Sequence, residues 1–568
     1  MFSTKAGMMT HSLFRTLSLA LLGASTLTLV ACTTDNSPTE PKAKPPVASA
    51  AEIGRRIERL SSDEMEGRAP GTKGGQMASQ YIADEMKAAG LKPMGENGTF
   101  FQPVELTEAT VLPNSTLTIK TGDETIVSAD QKTNAVFWTK RLDNSLSVAD
   151  SDVVFVGYGV VAPEYDWDDY AGMDVTGKTV VMLVNDPGFA TGDDDLFKGK
   201  SMTYYGRWTY KFEEAGRQGA AAAIIIHQTE PASYGWDVVQ GSWTGAQYDL
   251  VRPDGGASRT KVEGWVHLDA AKELFKAADM DMDAVMTAAK TPGFKPMAMN
   301  GVTLDATLNQ EVATTTSRNV AGGVIGTTRP DEYVLYMAHW DHLGKNEDAE
   351  GDDKIWNGAV DNATGTAAIL EIGEAFVQQG APERSAIFVA VTAEESGLLG
   401  SAYYAEAPLV PLNKTVAGIN IDAILPLGKT KDMVVVGYGA SELEDRLNDI
   451  LKPRDMYIVP DPKPEAGYYY RSDHISLAKK GVPMLYADGG NEHIINGLEY
   501  GENFANDYTK YRYHKPGDEY DNSWDLTGIE QTTEILFELG YGIANDEAWV
   551  NWYEGSEFRA VRDASMNK

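Results

Sequence analysis

The sequence predicts an α/β fold, a mixed β-sheet flanked by helices, with a second, β-rich domain inserted into it. Three observations carry this. From residue 302 onward, apolar strand-like runs at residues 333–338, 386–392 and 417–421 alternate with helical stretches such as 363–378. Those runs end on His339, Glu394 and Asp422, so polar residues collect along one edge of the sheet, at strand C-termini. Between residues 146 and 297 the texture changes: the runs at 153–156 and 179–184 are apolar at every position but Thr179, as strands buried on both faces are.

Composition bounds the reading. The chain has 568 residues, enough for two or three domains with a sizeable core, and 42% of them are apolar. The net charge of −34 argues against a nucleic-acid partner, because phosphate binding needs basic patches. An acidic cleft would attract cations and free amines, although solubility alone accounts for most of the charge. Cys32 is the single cysteine, which rules out an intramolecular disulfide and a Cys-based zinc site within the chain. A metal must therefore be held by His and carboxylate.

In chain order, residues 1–32 read as an export signal: Lys5 and Arg15 precede an apolar run at 17–30, too short for a comfortable membrane span. Met8 or Met9 is an alternative start. Leu29-Val30-Ala31-Cys32 resembles the lipobox of bacterial lipoproteins, which implies lipid on the Cys32 thiol and an outer-membrane destination, since Thr33 rather than Asp follows. The plainer reading is an ordinary signal peptide with an incidental cysteine. Residues 33–50, rich in Thr, Ser, Pro and Lys, read as a flexible tether. Residues 51–145 open the main domain. Two helical stretches there are separated by a loop at 67–71 carrying Arg68, read as a loop-bracing salt bridge. Residues 146–297 form the insert, in which His227 and His267 read as structural; residues 298–568 complete the main domain, with strands expected at 302–308 and 317–325.

Five short blocks carry chemistry. Residues 337–342 read Met-Ala-His-Trp-Asp-His, 357–362 read Asn-Gly-Ala-Val-Asp-Asn, and 392–397 read Thr-Ala-Glu-Glu-Ser-Gly. Asn420-Ile421-Asp422 and Tyr513-His514 follow. Two His and three carboxylates among them suit a pair of zinc ions sharing one carboxylate. Asp341 lies two residues after His339, so in extended chain both side chains point the same way and Asp341 is placed to accept the second ring N–H of His339. Glu394 and Glu395 are adjacent, so their side chains diverge; Glu394 is left as a general base.

The set H-x-D, G-A-x-D-N, E-E-x-G-x-x-G-S, N-x-D and Y-H, in this order and spacing, resembles the co-catalytic di-zinc aminopeptidases of the bacterial leucyl aminopeptidase and aminopeptidase Y type. The insert, notably at residues 157–183 and 216–228, resembles a protease-associated domain, which implies a role in shaping or covering the cleft mouth. The resemblance implies that His339 and Asp422 hold one zinc, Glu395 and His514 the other, and Asp361 both. It also implies a cis Asp361–Asn362 peptide, and Asp341 and Glu394 as catalytic residues. Cobalt or manganese could occupy the same ligands. His342, His474, Arg471 and Tyr470 are read as surrounding or pocket residues, with Tyr468 and Tyr469 as further pocket candidates. The expected activity is removal of N-terminal residues from peptides with a free N-terminus, with no nucleic-acid partner and membrane contact only through Cys32. The alternatives are a carboxypeptidase or dipeptidase using Arg471 for the terminal carboxylate, a single-zinc glutaminyl-cyclase-like enzyme, and a non-catalytic receptor-like lipoprotein.

Overall fold

The structure is a computed structural model that describes residues 47–566, apart from residues 130–132, 244 and 348–350. The export signal, Cys32 and nearly all of the tether lie outside the described residues. Among the described residues no helix is long and apolar enough to cross a membrane.

Helix α1 (Ala50–Leu60) starts at Ser49, whose side chain accepts from the Glu52 N–H, and buries Ile53, Ile57 and Leu60 on one face. Helix α2 (Lys73–Ala88) is capped in the same way by Thr72. The turn between them holds Gly67 at φ +65°, where a Cβ would lie 2.4 Å from the Gly344 carbonyl oxygen and 2.5 Å from that of Trp356. Only glycine fits there, and the close approach delivers Arg68 to the interior.

Strand β1 (Phe101–Val111) leads into a second sheet. Its strands are β2 (Thr116–Thr121), β3 (Glu124–Ser128), β4 (Ala135–Trp138), β5 (Ser145–Phe155), β6 (Thr179–Leu183) and β7 (Ala222–Ile226), the last preceded by helix α3 (Trp208–Arg217). β8 (Ala246–Leu250) leaves this sheet to pair with β1, and β9 (Val262–Val266) returns. Strands β5, β6, β7 and β9 run parallel, with β4 antiparallel to β9. Every residue of β6, β7 and β9 is buried, which explains their largely apolar or small character; Glu263 in β9 is the exception and pairs with Arg259. Strands β2, β3 and β4, upstream of residue 146, belong to this sheet.

Strand β10 (Met297–Val324) runs for 28 residues and joins the two sheets. Its first half pairs with β2 and β5, and its second with β1, from Gln310 opposite Val111 to Val320 opposite Phe101. The sequence suggested two strands here. The polar stretch between them stays extended because β1 satisfies its backbone, which outweighs the missing apolar pattern.

The first sheet continues with β11 (Arg329–His339), helix α4 (Gly365–Gln379), β12 (Arg384–Val391), β13 (Thr415–Asn420), β14 (Asp432–Val436) and β15 (Tyr457–Pro460). Helix α5 (His474–Ala478), β16 (Met484–Ala487), α6 (Gly497–Tyr511) and α7 (Thr527–Asn545) follow. The strand order is β8-β1-β10-β12-β11-β13-β16-β14-β15, with β12, β11, β13 and β16 parallel at the centre. Helices α1, α4 and α7 pack on one face over a core that includes Tyr336, Phe376, Phe388 and Phe537. The C-terminal ends of the parallel strands carry the functional side chains, as in open α/β sheets generally.

Candidate metal centre

Each ligand candidate leaves an element end. His339 is the last residue of β11, and its carbonyl accepts from Thr366 Oγ1 at 2.8 Å on α4. Asp361 precedes α4 across a cis Asp361–Asn362 peptide. Glu394 and Glu395 follow β12, Asp422 follows β13, and His514 follows α6.

The side chains converge on two adjoining points. His339 Nε2 lies 3.1 Å from Asp422 Oδ1 and 3.2 Å from Asp361 Oδ1. His514 Nε2 lies 3.2 Å from the other Asp361 oxygen and 3.1 Å from Glu395 Oε2. Ligands about 2.0–2.2 Å from a tetrahedral zinc stand about 3.3–3.5 Å from one another. The four separations approach that value at both points, and Asp361 offers one oxygen to each.

The chemistry of the donor set fits two dications. Asp361, Glu394, Glu395 and Asp422 crowd one cleft, with the buried Asp341 and Asp473 close enough to act on them, an arrangement that like-charge repulsion opposes unless cations sit among them. His342 Nδ1 approaches Glu395 Oε1 to 2.6 Å, yet neither atom has an aligned hydrogen bond among the described residues. His342 also groups spatially with Asp361 and Glu395 as a possible donor set. Its 2.6 Å contact is too short for the edge of a coordination tetrahedron and falls on the Glu395 oxygen that His514 does not face, so His514 has the better ligand geometry and His342 braces Glu395.

Glu394 Oε2 stands 4.0 Å from His339 Nε2, farther than either carboxylate facing that nitrogen. Burial raises the Glu394 pKa well above the usual carboxylate range; His339 opposes this, and the charges of Glu395, Asp422 and Asp473 add to it. Burial also works to raise Glu395, but His514 and His342 outweigh it and hold that carboxyl down at about 2. The two neighbouring glutamates therefore differ in proton affinity as well as direction.

Asp341 departs from the sequence expectation. The ring Nδ1 of His339 faces the backbone carbonyl of Asp341 at 3.2 Å, while the nearest carboxylate oxygen is 3.9 Å away. That carboxylate instead accepts the Glu394 N–H at 3.1 Å. Strand β11 ends at His339, so Asp341 lies beyond it and the extended-strand relationship does not apply. Arg68 also differs: it makes no salt bridge among the described residues, but is fully buried and donates to the carbonyls of Trp340, Leu60, Asn357 and Gly358. It braces both ligand loops from behind.

The remaining candidates separate. Arg471 and Tyr470 line the cleft, and the Tyr470 hydroxyl donates to Glu557 at 3.0 Å. His474 is buried between Tyr469 and Tyr486, ring centres 4.7 and 5.1 Å away, and burial pushes it down to about 3, so it is a neutral packing residue. His227 faces the Tyr234 carbonyl at 3.1 Å and His267 caps a helix through the Asp269 N–H, both away from the centre.

Sequence reasoning missed three supports. Asp518 accepts the N–H groups of Val360 and Asp361 at 3.0 and 3.1 Å. Ser472 donates to Asp422 Oδ2 at 2.6 Å. Asn362 accepts from the Gly365 and Ala423 N–H groups and donates to the Ile421 carbonyl, lacing the Asp361 loop to the Asp422 loop. The local signals were a carboxylate behind a Pro-Gly turn four residues after His514, a serine between Arg471 and Asp473, and the closing asparagine of the G-A-x-D-N block.

All five ligand candidates and Glu394 fall within one stretch of chain. Residues 319–540 match Peptidase family M28. Within the M28 segment lie β11 to β13, α4 to α6 and every residue of the centre. Over 140 residues the chain is 36% identical to aminopeptidase NAALADL1 of Mus musculus, covering 23% of this chain and 17% of that protein. Over the same length it is 33% identical to a glutamate carboxypeptidase 2 homolog of Caenorhabditis elegans, covering 23% and 16%. The chain thus matches about a sixth of the length of these curated relatives. Among solved structures, an aminopeptidase from Aneurinibacillus sp. strain AM-1 aligns over 87% of this chain and 93% of its own, with a TM-score of 0.48 and 19% identity.

Proposed function

We propose that this chain is a zinc-dependent aminopeptidase that removes N-terminal residues from peptides. The observation that carries the reading is the doubled donor set about Asp361, with Glu394 beside it at 4.0 Å from His339 Nε2. His339 and Asp422 would hold one ion, Glu395 and His514 the other, and Asp361 both; Co²⁺ or Mn²⁺ could take the same donors. Bound zinc supplies Lewis-acid polarisation of the scissile carbonyl and makes water acidic enough to attack at neutral pH.

The chain's own residues do the rest. Glu394 accepts the proton of the attacking water at its carboxylate; the new C–O bond forms, the C–N bond breaks, and the same carboxyl returns the proton to the leaving amine. Asp341 holds the Glu394 backbone N–H and so sets where that carboxylate points. The surplus of carboxylates supports recognition of the substrate's free ammonium group. The second sheet, carried on the long β10, supports a role as one wall of the cleft. We propose in addition that the protein is exported and lipid-anchored through Cys32 to a bacterial membrane.

The test is a panel of aminoacyl anilides and short peptides, with zinc quantified before and after chelation. Aminopeptidase activity requires two zinc ions per chain and disappears when the substrate is N-acetylated. Retention of cleavage after N-acetylation, with loss after C-terminal amidation, would replace this reading with a carboxypeptidase.

A further inference from the structure

The cleft that holds the donor set extends into a cavity of about 880 Å³ walled by both sheets. Its charged lining is uneven. Near the metal centre it is carboxylate-rich, but farther along it meets several cations, most of which are already engaged. Arg259 pairs with Glu263 at 2.6 Å, Arg252 with Asp249 at 3.2 Å, and Lys140 with Asp249 at 3.7 Å. Lys479 donates to the Tyr204 hydroxyl at 2.7 Å.

Arg207 and Arg471 are different. Among the described residues neither guanidinium has an ion pair or a hydrogen-bond acceptor, and the buried Nε of Arg207 is without a partner. Each lies by an aromatic ring, Arg207 over Trp208 at 5.8 Å and Arg471 over Tyr468 at 5.1 Å; burial opposes the Arg471 charge, and Tyr513, Tyr468, Tyr234 and Glu394 favour it. They repel each other across the space they share with Tyr234. Two like charges turned into one cavity, with no carboxylate in direct contact with either guanidinium among the described residues, are costly in a protein that carries 83 acidic residues from which a partner could have been drawn. The arrangement is held rigidly: Arg207 lies at the start of α3, on the second sheet's side, and Arg471 on the loop before α5. Those two sides are joined by the Met202 N–H to the Pro464 carbonyl at 3.2 Å and the Ser233 hydroxyl to the Glu465 carbonyl at 3.4 Å.

We propose that Arg207 and Arg471 form a carboxylate-binding subsite for the peptide substrate, built half from each sheet. This deepens the aminopeptidase reading and rests on it: the ammonium end of the substrate meets the acidic centre, and a carboxylate farther along the same molecule meets the arginine pair. Guanidinium groups bind carboxylates by paired N–H donors, which suits the terminal carboxylate of a short peptide or the side chain of Asp or Glu.

Matched peptides separate the two sources. Leu-Gly against Leu-Gly-amide isolates the terminal carboxylate; Leu-Glu-amide against Leu-Gln-amide isolates a side-chain carboxylate. The zinc-loaded wild type is expected to favour the carboxylate member of one pair by roughly 10- to 100-fold in kcat/KM, the scale of a charge-assisted hydrogen bond. R207Q and R471Q are each expected to bring that ratio close to unity, and R207K to restore part of it. Circular dichroism and zinc content verify that each variant is folded and loaded. A wild type with no preference in either pair, or variants that keep it, overturns the subsite. Failure to cleave any of the four peptides overturns the aminopeptidase reading itself.

Discussion

At the scale of single residues, Glu394 and Glu395 show how one step along the chain changes what a carboxylate meets. Glu395 has a histidine at each oxygen, at 2.6 and 3.1 Å, whereas Glu394 has only the 4.0 Å approach to His339. Glu394→Gln should therefore retain both zinc ions and lose roughly 10²- to 10⁴-fold in turnover, as removal of a general base does. Glu395→Gln should bind one ion weakly, with activity partly restored by excess zinc. Zinc content and turnover measured on both variants check this, and loss of metal from the first would exchange the two roles. Ser472 offers a second test. Its hydroxyl donates to the Asp422 oxygen that faces away from His339, so Ser472→Ala should weaken zinc affinity roughly 10- to 100-fold by chelator competition, the usual effect of removing a ligand's outer hydrogen bond. The candidate donors that the structure brings together stood out in the sequence because each is a polar residue following an apolar strand or set in a short motif. Ser472 and Asp518 did not, because what marks them is a partner across the fold: Ser472 lies 50 positions from Asp422 and Asp518 lies 157 from Asp361.

At the scale of elements, the two loops that present the ligands are fastened from behind. Arg68 reaches four carbonyls, those of Trp340, Asn357 and Gly358 among them, and lies between the His339 and Asp361 loops. Arg68→Met keeps much of the volume but leaves buried carbonyls without donors. It should cost about 2–5 kcal/mol, read as a lower urea midpoint, and should loosen zinc as well. Gly540 on α7 makes a packing test remote from the centre: a Cβ there would lie 1.8 Å from the Tyr336 hydroxyl, which donates to the Leu536 carbonyl. Gly540→Ala should lower stability by about 1–3 kcal/mol with kcat nearly unchanged, measured by thermal melting and steady-state kinetics. Element types were readable wherever burial imposed a period or an unbroken apolar run, as in β11, β12 and α4. The region around 309–316 was not, since its polar residues are held extended by pairing with a strand some 200 positions earlier. Arg68 was misread for a related reason: an arginine in a Gly-rich loop carries no local sign that it will be enclosed.

At the scale of the whole molecule, metal and fold should be linked. Removing cations from a cleft lined by this many carboxylates leaves repulsion uncompensated, so chelation should lower the melting temperature, and added zinc should reverse the change. The sheet boundaries also decide how the second sheet can be removed. Excising residues 152–295 would leave β2, β3 and the first half of β10 with apolar faces such as Leu117, Ile119 and Leu304 uncovered, and aggregation is expected. Joining residue 115 to 309 follows the fold instead: the Ser115 hydroxyl donates to the Asn309 carbonyl at 2.9 Å, so the cut ends already touch. That shorter protein should remain soluble and bind two zinc ions, measured by gel filtration and metal analysis. Strand β10 has a mechanical meaning beyond topology. Because its ladder is filled on both sides of the crossover, by β5 and β2 and then by β1, swinging one sheet away from the other would tear paired backbone rather than flex a joint. The mouth of the cleft is therefore expected to keep its width, framed by paired backbone rather than by a hinge.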